Sequence, residues 1–283
     1  MVCGRKPTHS PNIGNRYVRR KKTLKIIKVL ALGAAITTLT VVSAQSQDDD
    51  PKPTIVLVHG AFAESSSWDA VITRLTKDGY VAIAAANPLR GVASDAASVA
   101  SVVHSIRGPV ILVGHSYGGP VITEAANGSP NVKALVYVAG FMPDIGESSV
   151  ALSAKFPGST LGDTLAPVTL PNGKQDLYIQ PSKFRFQFAA DVSDDKAALM
   201  ASTQRPVAQA ALAEPSGVAS WKLLPSYMIY GSSDRSIPPA VMQFMAERAH
   251  AAKTVVIDGA SHALMVSHPG EVTTLIEEAA SAH

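Results

Sequence analysis

From residue 54 onward, short apolar runs alternate with segments in which apolar residues recur at helical spacing. Residues 54–58, 80–86, 109–113, 132–139, 227–230 and 254–257 are short, apolar and rich in β-branched side chains, and they read as strands. The segments between them read as helices. One is capped by the serines at 65–67, carries Trp68, Val71, Ile72 and Leu75, and stops at Gly79. Others span 94–106, 120–126, 240–249 and 271–282. Strand–helix alternation with continuously apolar strands predicts an α/β fold, a doubly wound and mainly parallel sheet covered on both faces. The alternation fails between residues 141 and 224, a stretch holding seven prolines. There 194–205 and 206–214 look helical, and Phe184, Phe186 and Phe188 alternate as in a short strand. The stretch is therefore expected to be a cap inserted between two strands of a single domain spanning 54–283.

The most informative run is VILVGHSYGG at 110–119. Four apolar residues lead into Gly114-His115-Ser116-Tyr117-Gly118, and a helix of small residues begins near Pro120. Strand, sharp turn and helix with Ser at the apex is the context of a G-x-S-x-G nucleophile elbow. Such a turn strains the serine backbone, and its glycines keep side chains out of the corner where strand and helix nearly touch.

In a parallel sheet, functional residues gather beyond the carboxyl ends of the strands. That places His59-Gly60, Ser116, Asp234 and His262 along one edge. Acyl transfer needs a nucleophile, a base to take its proton and an acid to orient the base. Ser116 fits the first. His262, in D-G-A-S-H after one strand, fits the second, and Asp234, in Y-G-S-S-D after another, fits the third. The chain order Ser, Asp, His suits this architecture. His268 reads instead as the start of the last helix, Asp258 as a turn residue, and His115 as structural, with its side chain directed away from Ser116 Oγ. An oxyanion hole needs two convergent N–H groups. The amides of Tyr117 and of Ala61, in the loop after the first strand, are the expected pair, with Gly60 letting that loop approach the substrate. Phe62 and Phe141 are expected on the substrate side, and Met142, Phe184, Phe186, Phe188, Met200 and Trp221 are further candidates for an apolar pocket. Asp194, Asp195 and Lys196 read as a solvated helix start.

Charge changes the picture at the N-terminus. The first 44 residues hold nine Lys or Arg and no acid; removing them from 25 basic residues leaves 16 against 22 acidic ones, a formal charge of −6. No basic face remains to bind nucleic acid. Residues 19–28 are basic, 29–42 are apolar, and Val42-Ser43-Ala44 offers small residues for cleavage, so 1–44 is expected to be a signal peptide. Residues 1–17 match neither a signal nor a domain, as expected if translation begins at Val18. Residues 45–53 read as a polar, acidic, flexible linker. Export to a periplasm or the medium follows, with no membrane attachment once the leader is removed. The single cysteine, Cys3, lies in the leader, so the body can hold neither disulfides nor a thiolate site.

Taken together, HGAFAESSSW, GHSYGG, YGSSD and GASH resemble the α/β-hydrolase superfamily over essentially all of 54–283. The first of these and DGASHALMVSHP resemble the branch that holds plant methyl esterases and hydroxynitrile lyases, and small bacterial and fungal hydrolases. The lyases carry Thr where Gly60 stands and Lys where Ala263 stands; the resemblance therefore implies an esterase. Epoxide hydrolases and dehalogenases use Asp at the nucleophile, which Ser116 argues against. The implied activity is hydrolysis of a small or medium carboxylic ester through an acyl-enzyme. No H-E-x-x-H pair or ligand-spaced His/Asp cluster is present, and neither a metal nor another cofactor is required. The expected partner is a small-molecule ester; the sequence leaves the oligomeric state open. Lactonase, C–C hydrolase and perhydrolase chemistry, or ligand binding without turnover, are the competing readings.

Overall fold

The computed structural model describes residues 52–282. The expected signal peptide and most of the linker lie outside the described residues. The end of that linker belongs to the domain: Pro53 is buried, and the Lys52 ammonium donates to the Asp78 carbonyl at 2.6 Å while lying 4.4 Å from the Tyr80 ring centre.

Six parallel strands form the main sheet in the order β2-β1-β3-β4-β8-β9. They are β1 (Thr54–Val58), β2 (Ala82–Ala85), β3 (Val110–His115), β4 (Val132–Val138), β8 (Ser226–Gly231) and β9 (Lys253–Ile257). Every residue of β3 is buried, so both faces are covered at the centre of the sheet, while the edge strand β9 is half-buried to exposed. The helices α1 (Asp69–Lys77) and α10 (Pro269–Ser281) pack on one another, as do α2 (Val92–Ser105) and α3 (Gly118–Ala125). Each large aliphatic side chain buried in this way contributes about 1.5–3 kcal/mol relative to exposure. α8 (Pro239–Arg248) connects β8 to β9, and the short α9 (Leu264–Ser267) precedes α10. Among the described residues no helix is long and apolar enough to cross a membrane.

Register positions the site. Val58 pairs with Gly114, so β1 and β3 end level and bring 59–62 beside 115–117. Gly231 pairs with Ile257, so β8 and β9 end level and bring 232–234 beside 258–262. The order of β1, β2 and β3 reverses the direction of winding at β1, which opens a crevice at the carboxyl ends of these strands.

Between β4 and β8 the chain leaves the sheet. It forms α4 (Ser149–Ser153), the antiparallel strands β5 (Leu165–Thr169), β6 (Gln175–Ile179) and β7 (Val207–Ala208), and the helices α5 (Pro181–Phe188), α6 (Asp194–Thr203) and α7 (Gln209–Ala213). The alternating phenylalanines are therefore not a strand. Pro181 stands in the first turn of α5, where its missing N–H costs nothing. Phe184 and Phe188, four residues apart, share the buried face, while Phe186 is 61% exposed beneath the Arg235 guanidinium. The expected helix at 206–214 is likewise shorter. Val207 and Ala208 first pair with β6, and α7 begins after them.

Candidate active site

The turn after β3 holds Ser116 at φ +53°, the left-handed region that a non-glycine residue enters only when its surroundings compel it. Its N–H donates to the Val138 carbonyl at 3.2 Å, and its carbonyl accepts from the amides of Gly119 at 2.9 Å and Phe141 at 3.2 Å. The elbow is thus tied to β4, to α3 and to the start of the cap. A Cβ built on Gly114 would lie 2.5 Å from the Gly118 carbonyl oxygen, so the strand–helix corner admits no side chain there.

Asp234 and His262 meet from the ends of β8 and β9. The His262 Nδ1–H donates to Asp234 Oδ2 at 2.6 Å, with both side chains essentially closed to solvent. Asp234 Oδ1 accepts the amides of Ser236 at 2.8 Å and Ile237 at 3.0 Å, so both carboxylate oxygens are engaged. Donation from Nδ1 leaves Nε2 as the nitrogen able to take a proton. The His262 ring packs at 4.9 Å on Phe188 and at 4.7 Å on His115. Ser116 and His262 line the same cavity, of about 620 Å³.

Ala61 and Tyr117 also line this cavity, and among the described residues neither amide donates to a backbone or side-chain acceptor. The loop carrying Ala61 is held from below. The His59 Nδ1–H donates to the Gly60 carbonyl at 3.0 Å, His59 Nε2 accepts the Asn87 amide at 3.2 Å, and the Asn87 side chain donates to the His59 carbonyl at 2.8 Å. Burial holds His59 below its ordinary pKa and so favours this neutral imidazole. The Tyr117 hydroxyl donates to Asp95 at 2.9 Å, and Asp95 also accepts the amides of Arg90 and Gly91 at 3.0 and 3.3 Å. Burial, then the Asp95 charge, drives the Tyr117 hydroxyl pKa far upward, so it remains a donor. Sequence reasoning missed Asn87 and Asp95. The only hint is an Asn-Pro just past a strand end and an acidic residue in the first turn of a helix made largely of Ala, Val and Ser.

Of the expected substrate-side residues, Phe62 and Phe141 line the cavity, together with Phe188. Gly60 does not. It abuts Ser116, where an added Cβ would lie 2.6 Å from both Ser116 Cβ and the His115 carbonyl oxygen. Thr at this position would collide with the elbow. Phe62 itself adopts φ +61°, with its N–H donating to the Arg205 carbonyl at 3.0 Å. The other candidates pack elsewhere. Met142 is buried against Met245, the Trp221 indole donates to the Pro143 carbonyl at 2.7 Å, Phe184 packs on Phe188, and Met200 faces a smaller recess. Asp258 accepts from Ser232 in the turn after β9, and His268 precedes α10 with its Nε2 3.4 Å from Asp191. Asp194 begins α6 and pairs with Arg185 at 2.7 Å. His115 does have its side chain turned to structure, with a partner the sequence did not reveal: its Nε2–H donates to the His262 carbonyl at 3.1 Å.

The chain is similar to the alpha/beta hydrolase nvfD of Aspergillus novofumigatus, with 25% identity over 253 residues, 81% of this chain and 97% of that protein. Its fold matches the crystal structure of polyneuridine aldehyde esterase at a TM-score of 0.70, with 22% identity and coverage of 80% of this chain and 98% of that one. A methylesterase from Arabidopsis matches at a TM-score of 0.68, with 17% identity and coverage of 82% and 100%. Residues 55–275 match the alpha/beta hydrolase family, the greater part of the chain, and the protein belongs to that family.

Proposed function

We propose that this protein is a serine hydrolase that cleaves a carboxylic ester of a small to medium substrate. The observation that carries the reading is the buried 2.6 Å contact between His262 and Asp234 beside a strained Ser116, at one cavity. In this reading His262 Nε2 takes the Ser116 hydroxyl proton as Oγ attacks the ester carbonyl. The Ala61 and Tyr117 amides stabilise the oxyanion, an effect worth roughly 3 kcal/mol per donor in comparable sites. His262 then protonates the departing alcohol. Water, deprotonated by the same imidazole, cleaves the acyl-enzyme and releases the acid. Asp234 keeps the imidazole in the tautomer with the proton on Nδ1 and stabilises the imidazolium formed during attack. The esterases among its structural relatives support an ester as substrate. The basic and apolar leader at 1–44 makes export part of the proposal.

The test is hydrolysis of p-nitrophenyl esters of increasing chain length by the protein and by Ser116→Ala. Turnover abolished by the substitution, with a fluorophosphonate labelling Ser116 in the unmodified protein, is the expected result. A protein that is neither active nor labelled would overturn the reading.

A further inference from the structure

The C-terminal end of α5 meets the two loops that carry Asp234 and His262. An α-helix leaves its last four carbonyls without partners inside the helix. In α5 these belong to Arg185, Phe186, Gln187 and Phe188. The Ala189 amide takes the first at 2.9 Å. The other three meet side chains from the chain neighbours of Asp234 and His262. Arg235 Nη1 donates to the Phe186 carbonyl at 3.1 Å, the Ser236 hydroxyl donates to the Gln187 carbonyl at 3.4 Å, and the Ser261 hydroxyl lies 3.4 Å from the Phe188 carbonyl. Arg235 and Ser236 directly follow Asp234, and Ser261 directly precedes His262.

Two side chains strengthen this contact. Gln187 is buried and both ends of its amide are engaged: Nε2 donates to the Arg235 carbonyl at 2.8 Å, and Oε1 accepts the Thr160 hydroxyl at 2.8 Å. Asp191, in the turn after α5, grips the other loop. Its Oδ1 accepts the Ser261 hydroxyl, and its Oδ2 lies 3.4 Å from His268 Nε2. One carboxylate thus spans both ends of the segment 262–267. Partial burial opposes the charge on Asp191, but hydrogen bonds led by that from the Ser261 hydroxyl outweigh it and hold the carboxyl below its ordinary pKa. Neither Gln187 nor Asp191 lines the cavity. Phe188, between them, does, and its ring packs on His262 at 4.9 Å.

We infer that the C-terminal end of α5 positions the Asp234–His262 pair from the cap, with Gln187 the positioning residue for the acid loop and Asp191 for the base loop. This inference rests on the esterase reading above. The β8–β9 ladder ends at Gly231 and Ile257, so Asp234 and His262 stand beyond its reach. A proton relay needs its groups held to a fraction of an ångström, and α5 supplies the hold that the sheet does not. Within the inserted stretch, Gln187 and Asp191 thus serve the reaction, whereas residues such as Leu161 and Leu212 form the wall that meets the substrate.

The experiment measures hydrolysis of p-nitrophenyl esters and the imidazole nitrogen resonances of His262, read from proton–nitrogen correlation spectra. It compares the unmodified protein with Asp191→Ala, Asp191→Asn, Ser261→Ala, Asp191→Ala/Ser261→Ala and Gln187→Met. Thermal melts establish that each variant is folded at the assay temperature; in Gln187→Met the Arg235 carbonyl keeps the Thr160 amide, which donates to it at 3.0 Å. Asp191→Ala, Ser261→Ala and Gln187→Met are each expected to lower kcat by roughly five- to tenfold, the scale of one lost hydrogen bond, with KM little changed. The double variant should fall no further than Asp191→Ala, because both substitutions remove the same bond. Asp191→Asn, which keeps an acceptor for Ser261, should recover most of the loss. The His262 signals should shift or split in the impaired variants and stay in place in Asp191→Asn. Unmoved His262 signals in Asp191→Ala and Gln187→Met, an unchanged kcat in an active protein, or a rise in KM in place of the fall in kcat would overturn the inference. His262 signals that move in these variants of a protein that turns over no ester would sustain the hold exerted by α5 and overturn the esterase reading instead.

Discussion

The Nε2–H of His115 donates to the main-chain carbonyl of His262 at 3.1 Å, so the residue preceding the elbow serine holds the backbone of the proposed base. The bond spans from the end of β3 to the loop after β9, across two intervening strands of the sheet. It fixes the distance between two stretches of chain that the proposed mechanism requires to cooperate within a fraction of an ångström.

Replacing His115 by Ala should therefore lower kcat by about tenfold or more with little change in KM, the mark of a mispositioned base rather than of lost substrate contact. The unpaired carbonyl should also cost about 1–3 kcal/mol of stability. His115→Gln, which keeps an N–H donor, should recover part of both. Steady-state kinetics and urea denaturation of the two variants check the expectation.

His115 also sets an acid limit on the fold. Burial, reinforced by the neighbouring His262, holds its pKa well below the ordinary 6.5, and burial lowers His59 as well. Both are neutral in the native state. Above about pH 6.5 neither state binds the proton, and the two residues leave stability unaffected. Below it the unfolded chain takes up protons that the native chain refuses, so stability falls as pH falls. Where His115 is protonated only in the unfolded chain, the slope is roughly 1.4 kcal/mol per pH unit. Urea midpoints between pH 8 and 5 should stay level and then decline, and His115→Gln should make the decline shallower.

Gly60→Ala should be far more disruptive than its size suggests. The new Cβ would press on Ser116 Cβ and on the His115 carbonyl oxygen, both part of the rigid elbow. Expected are a loss of about 1–3 kcal/mol of stability and a large fall in kcat. Near-normal activity would show that the loop can retreat from the elbow.

Phe62 lines both the main cavity and a second recess of about 280 Å³ lined in part by Ser66, Leu199 and Met200. Phe62→Ala should join the two spaces and move the ester chain-length optimum upward, at a stability cost of about 3–5 kcal/mol for a buried ring. The chain-length profile and a thermal melt together measure both effects.

The centre of the sheet was legible because its inner strands are buried on both faces and so appear as unbroken apolar runs such as residues 110–113. Ser116 and Asp234 stood out because each follows such a run, and His262 because it follows the short β-branched run at 254–257 of the edge strand β9. The cap was not legible in the same way. The pattern Phe-Arg-Phe-Gln-Phe at 184–188 satisfies a period of two and also the four-residue spacing of a helix face, and only Pro181 hinted at the helix. The strand β5 carries a proline and is largely half-buried or exposed, so it offers no alternation to read. The supports of the site escaped for another reason. Asn87 and Asp95 act by hydrogen bonds to segments distant in sequence, and a partner of that kind leaves no periodic trace.

The insertion between β4 and β8 divides labour along the chain. Ser116, Asp234 and His262 all belong to the sheet framework, whereas much of the cavity wall, from Phe141 to Leu212, lies in the stretch between those strands. Its two ends leave from neighbouring strands, paired from Leu135 with Ser226 to Val138 with Ile229. A segment that departs from and returns to adjacent strands is an exchangeable cassette. Lineages carrying this framework can diversify in appetite by rewriting one continuous piece of gene while the proposed triad stays untouched.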